Sequence, residues 1–124
     1  MAVLLDTHIL LDLLASGRSA EGAWGSERIH VSVASIWEIA IKVRQAKLAL
    51  PLAVPGIEER LTDLGWSVLP IGASHVTVEV SPWPETHDPF DRLLLAVCEV
   101  EDLRLVTRDR KLVDHPLAWR AGAA

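Results

Sequence analysis

Four carboxylates carry the chemistry open to this sequence: Asp6, Glu38, Asp91 and Asp109. Each stands where the residue pattern changes period. Val3-Leu4-Leu5 is a short apolar run suited to a buried strand, and Asp6-Thr7 ends it. Ile9, Leu10, Leu13 and Leu14 then fall three and four apart, as on one stripe of a helix. Leu105-Val106-Thr107 runs in the same manner into Arg108-Asp109. Glu38 is expected in the first turn of a helix opening at residues 32–35, and Asp91 in the first turn of one beginning near Asp88. In a doubly wound sheet, the carboxyl ends of strands and the amino ends of the following helices share one edge. The four acids span most of the sequence, yet this topology assigns them to a single rim.

Each acid also has a plain structural explanation. Asp6 or Thr7 suits a helix cap. Ser35-x-x-Glu38 matches a capping box, and Asp88-Pro89-Phe90-Asp91 places a cap before a proline at the first helical position. Asp109 suits the cap of its own short turn. Negative charge near a helix amino end is favourable by roughly 0.3–1 kcal/mol. Caps alone do not require four like charges on one rim, where they repel. A hard divalent cation removes that conflict, since Mg²⁺ and Mn²⁺ prefer oxygen ligands and are held by a few carboxylates plus substrate phosphate. Thr7, Thr107 and Asp88 are expected just behind the ligands, the threonines orienting a carboxylate or a metal-bound water. Arg92, Arg108, Arg110 and Lys111 lie near the rim, where they would meet flanking phosphates or serve solubility alone.

The elements that must position these groups alternate along the chain. Strands are expected at residues 2–6, 29–33, 66–71 and 103–107, with a last short one at 117–119. Helices are expected at 8–15, 36–43, 56–64 and 88–100, the third closed by Gly65. Residues 20–24 make at most a short helix, residues 73–80 a weak one, and residues 109–113 a helical turn. Pro70 suits an edge strand or a strand's end, and Pro82-Trp83-Pro84 breaks any regular element. This alternation implies one α/β domain over residues 1–124, a three-layer α/β/α sandwich with a mostly parallel sheet of four to five strands.

Composition narrows the function classes. Half of the 124 residues are apolar and the mean hydropathy is +0.27, which argues against disorder. No apolar run approaches the ~18–20 residues of a membrane span, and the amino end lacks the features of a signal peptide. The single cysteine, Cys98, permits no internal disulfide and fits a reducing cytoplasm. A net charge of −5 argues against a basic nucleic-acid coat, although a cation held by clustered acids supplies positive field locally. The histidines form no metal-type pair, so zinc chemistry gets little support.

Leu4-Leu5-Asp6-Thr7-His8, Ser35-Ile36-Trp37-Glu38-Ile39-Ala40-Ile41-Lys42, Asp88-Pro89-Phe90-Asp91-Arg92-Leu93-Leu94-Leu95-Ala96 and Leu105-Val106-Thr107-Arg108-Asp109 occur in that order. Together they resemble the PIN-domain family, and within it the VapC-type ribonuclease toxins of type II toxin–antitoxin pairs. The resemblance implies Asp6, Glu38 and Asp91 as the main metal-binding acids and Asp109 as a fourth, more variable one. It also implies Mg²⁺ or Mn²⁺ as cofactor, structured RNA as substrate, a homodimer, and a cognate VapB-type antitoxin that blocks the site. Glu85-Thr86-His87 departs from the pattern, lacking the basic residue that often precedes Asp-Pro-Phe-Asp-Arg in such proteins. One or two ions, about 3.5–4 Å apart if two, would activate water for in-line attack, leaving 5′-phosphate and 3′-hydroxyl ends. Two alternatives remain at this point: an aspartyl-phosphate or receiver-type module, and a silent binding protein on the same scaffold.

Overall fold

The computed structural model describes residues 2–17, 24 and 27–121. Strands β1 (Ala2–Leu5), β2 (Arg28–Ser32), β3 (Ser67–Leu69) and β4 (Arg104–Val106) form one sheet. Its order is β3-β2-β1-β4 and every pairing is parallel. Helices α1 (Thr7–Ser16), α2 (Val33–Arg44), α3 (Ile57–Asp63), α4 (Ala73–Thr77) and α5 (Pro89–Glu101) connect the strands.

The central strand explains the layering. Val3, Leu4 and Leu5 are all fully buried, as befits a parallel strand covered on both faces. Successive side chains point to opposite faces. Val3 and Leu5 therefore join Leu10, Ile39, Ile57 and Leu61 in one core cluster, while Leu4 joins Leu94, Leu95 and Leu105 in another. The first cluster takes residues from α1, α2 and α3, and the second is dominated by α5. These are the two outer layers.

Register brings the strand ends level. Leu5 pairs with Val106, and the Asp6 amide donates to the Val106 carbonyl at 3.0 Å, so Thr107 comes to lie alongside Asp6. The sheet edges are short. β3 ends immediately before Pro70, in agreement with the edge reading. β4 is flanked by a single parallel bridge between Leu105 and Ala118, so the strand expected at 117–119 is reduced to one bridge. His115 secures that segment: its Nδ1 accepts from the Leu117 amide at 3.1 Å and its Nε2 bonds the Pro82 carbonyl at 2.9 Å.

Two expectations change in detail. α2 begins at Val33, capped by the Ser32 hydroxyl, which accepts from the Ala34 amide at 3.0 Å. Ser35 is not the cap, and Glu38 lies in the second helical turn rather than the first. The helix at 73–80 stops at Thr77, where Val78 turns extended, in keeping with β-branched residues that favour that conformation. Residues 109–113 make the expected turn, with the Leu112 and Val113 amides both donating to the Asp109 carbonyl. The short helix considered for residues 20–24 lies outside the described residues except for Trp24.

Leu95 has no solvent exposure and sits at the middle of α5 against the sheet. Leu95→Ala is expected to lower stability by about 2–5 kcal/mol, through lost transfer energy and the cavity left behind, measured by urea titration with circular dichroism.

Candidate active site

The rim is built from loop chemistry at the ends of β1 and β4 and from the first turn of α5. Asp6 is the N-cap of α1 and is only 1% exposed. Its Oδ1 accepts from the His8 amide at 3.4 Å, and its Oδ2 accepts from the Thr107 hydroxyl at 2.5 Å. That second bond has the length of a charge-assisted O–H···O⁻ contact. The Thr107 oxygen in turn accepts from the Asp109 amide at 3.0 Å. Asp109 caps the next turn, its Oδ1 accepting from the Lys111 amide at 2.8 Å.

The same device recurs at α5. The Thr86 hydroxyl donates to Asp91 Oδ2 at 3.2 Å and accepts from the Asp88 amide at 3.2 Å. Asp88 is the N-cap, its Oδ1 accepting from the Phe90 amide at 2.8 Å, as Pro89 at the first helical position implies. In both Thr-x-Asp stretches the backbone amide two residues on occupies a lone pair of the threonine oxygen. The hydroxyl hydrogen is left to point at a carboxylate. Thr86, 1% exposed, escapes a reading of the acids alone. The signal available for it is the repeat of the pattern, Thr86-His87-Asp88 beside Thr107-Arg108-Asp109.

Electrostatics show which acids converge. The Asp91 carboxyl is pushed up to about 6, first by burial, then by the charges of Asp88 and Asp6, with a smaller contribution from Asp109 and an opposing one from the Thr86 hydroxyl. Residues from three separate parts of the chain thus share one field. Glu38 stands differently: it pairs with Lys42 one turn along α2, Nζ to Oε2 at 3.2 Å. Thr7 also turns elsewhere, its hydroxyl donating to Ser35 Oγ at 2.9 Å and tying the start of α1 to α2.

The basic candidates divide likewise. The Arg92 side chain turns back, Nε donating to the Thr86 carbonyl at 2.7 Å, with its guanidinium 4.9 Å from the Trp83 ring centre. It braces the loop that holds Asp91. Arg108 pairs with Asp12 on α1. Arg110 and Lys111 are exposed beside the Asp109 turn.

Residues 3–116 match the PIN domain. This chain belongs to the PIN-domain family. Its fold is also similar to that of a chain in a solved toxin–antitoxin complex from Klebsiella pneumoniae, with a TM-score of 0.63 and 22% identity over 95% of this chain and 96% of that one. No curated protein matches the sequence. PIN domains are generally nucleases, and PIN nucleases generally use divalent metal ions. Family membership sets the receiver-type alternative aside.

The donor set fits such an ion in chemistry. It consists of carboxylate oxygens under mutual repulsion, relieved by a hard cation. Among the described residues, no three Asp, Glu, His or Cys side chains are drawn close enough to hold an ion as a group. Mg²⁺ does not need such a cage, because it keeps several waters and is usually bound through one or two carboxylates.

Asp91 sets a stability test. Between its ordinary value of 3.8 and about 6, the folded state holds more protons than the unfolded state, so this carboxyl lowers stability as pH rises through that window. Asp91→Asn removes the ionisation while keeping an acceptor for Thr86. A higher Tm than wild type is expected at about pH 8, with the gain fading below about pH 4, read by thermal melts across pH.

Proposed function

We propose that this chain is a metal-dependent endoribonuclease, the VapC-type toxin of a toxin–antitoxin pair. The observation that carries this reading is the shared field of Asp6 and Asp91, 85 positions apart in sequence yet close enough for one charge to raise the other's carboxyl. Metal-assisted phosphodiester hydrolysis uses negative groups gathered in this way around a cation. A stability role for caps does not.

Asp6 and Asp91 would hold the ion, with Asp109 and Glu38 as the further acids proposed for it, while Asp88 caps α5. A bound divalent cation lowers the pKa of water and offsets charge on the phosphoryl oxygen. The chain's own groups prepare the site for it. Thr107 fixes one oxygen of Asp6, while Oδ1 has only a long contact to the His8 amide. Thr86 does the same for Asp91 Oδ2. Because Asp91 titrates near 6, cation binding displaces a proton from it at mildly acidic pH, and affinity for the ion weakens there. Arg110 and Lys111 are the cations offered to flanking phosphates. The cellular setting is a cytoplasm, where the chain acts on structured RNA as a homodimer until a VapB-type antitoxin covers the rim. The toxin–antitoxin context of the similarly folded Klebsiella pneumoniae chain supports that partner. No helix among the described residues is long and apolar enough to cross a membrane.

The test is cleavage of structured RNA by the purified chain with Mg²⁺ or Mn²⁺. Activity lost to EDTA and restored by either ion is expected, with products bearing 5′-phosphate and 3′-hydroxyl ends. Thr107→Val should reduce activity by about 10–100-fold, the usual effect of losing a group that supports a ligand. Asp6→Asn should reduce it further while circular dichroism stays unchanged. Full activity of Asp6→Asn would refute the proposed site.

A further inference from the structure

Trp37 has a place that packing does not explain. It is 60% exposed, whereas Trp24, Trp66 and Trp119 pack against the core; Trp83, 69% exposed, has one face against the Arg92 guanidinium. Among the described residues its ring partner is Phe90, with centroids 5.5 Å apart and planes tilted by 59°. A tilted pair of this kind meets edge against face, and the exposure of Trp37 leaves indole surface open to solvent. Position in the chain gives the pair its meaning. Trp37 immediately precedes Glu38 on α2, and Phe90 immediately precedes Asp91 on α5. The two rings therefore bridge the helices that carry two of the proposed acids, each one residue, ~3.8 Å in Cα terms, from its acid.

Charge narrows what this surface can take. The chain carries a net −5, so its overall charge does not draw a phosphate backbone to this surface. Three nearby basic groups are already engaged: Arg92 with the Thr86 carbonyl, Arg108 with Asp12 and Lys42 with Glu38. Arg110 and Lys111 remain exposed for flanking phosphates, but they sit by the Asp109 turn and not on the Trp37 surface. A nucleic acid held here gains from its bases, whose faces stack on aromatic rings whatever their sequence.

We propose that Trp37, supported edge-on by Phe90, is a stacking platform for an unpaired nucleobase of the RNA strand, next to the scissile phosphate. The inference rests on the nuclease reading and adds a positioning residue to it: Trp37 holds one base of the strand beside the cut. Trp37 and Phe90 bind and position; neither takes part in the reaction.

The experiment measures binding of a fluorescently labelled single-stranded RNA oligonucleotide in EDTA, where no cleavage occurs, across a salt series, with sedimentation velocity of each variant. Trp37→Ala is expected to weaken binding about 5- to 150-fold, the range for losing one base–aromatic stack. Trp37→Phe should keep most of the affinity, and the salt slope should stay unchanged because no phosphate contact is removed. Both variants should sediment as wild type. Unchanged affinity in Trp37→Ala, alongside RNA cleavage by the wild type, overturns the platform and leaves the nuclease standing. A lower mass for Trp37→Ala assigns the surface to a second copy of this chain and also overturns it. A wild type that neither binds nor cuts RNA brings down both readings together.

Discussion

Repulsion between carboxylates held at one edge of the sheet is the constraint on which the rest of this structure turns. Asp6 is 1% exposed, and a buried carboxylate is costly unless hydrogen-bonded. Thr107 donates to one oxygen and the His8 amide to the other, at the amino end of α1, where the helix dipole favours negative charge. Asp91 is less well compensated. One hydroxyl faces it, and burial first, then the charges of Asp88, Asp6 and Asp109, oppose its ionisation. Stability alone would not select this arrangement, since a neutral side chain at Asp91 would relieve it. A carboxyl perturbed by burial and neighbouring charge is a mark of functional sites.

The supports of the two acids follow one design carried out twice. In each, a threonine accepts from the amide two residues on and gives its hydrogen to a carboxylate. The orientation of an acid is thereby tied to local backbone rather than to another flexible side chain. At α5 the support reaches further: Arg92 holds the Thr86 carbonyl and rests on Trp83. A residue that reads as a phosphate contact in the sequence is in the fold a brace. Arg108, paired with Asp12, likewise links the Asp109 loop to α1, although an exposed pair of this kind contributes little on its own.

The sheet makes these contacts possible by bringing distant loops level. Leu5 pairs with Val106, so the two acidic exits leave the sheet at the same height. The two core clusters, one on each face of β1, keep that register, because a slip of one residue would turn buried leucines towards the wrong layer. The rim is thus positioned by apolar packing some distance below it.

Much of this was legible in residue order. The strand–helix alternation, the parallel sheet, the edge position of β3 beside Pro70, the Asp88–Pro89 cap and the gathering of Asp6, Asp91 and Asp109 follow from periodicity and turn chemistry, which are local properties of a chain. The start of α2 did not: two serines three apart, Ser32 and Ser35, are equally good caps by type. Only the fold decides that Ser32 closes the helix while Ser35 meets Thr7. The same holds for the partners of polar groups. Thr107 and Asp6 are 101 residues apart, and Arg92 has both an acidic rim and a nearby carbonyl within reach. Residue types determined which groups this protein can bring to an edge; tertiary structure decided which of them face each other, because a hydrogen bond or a charge acts through space and not along the sequence.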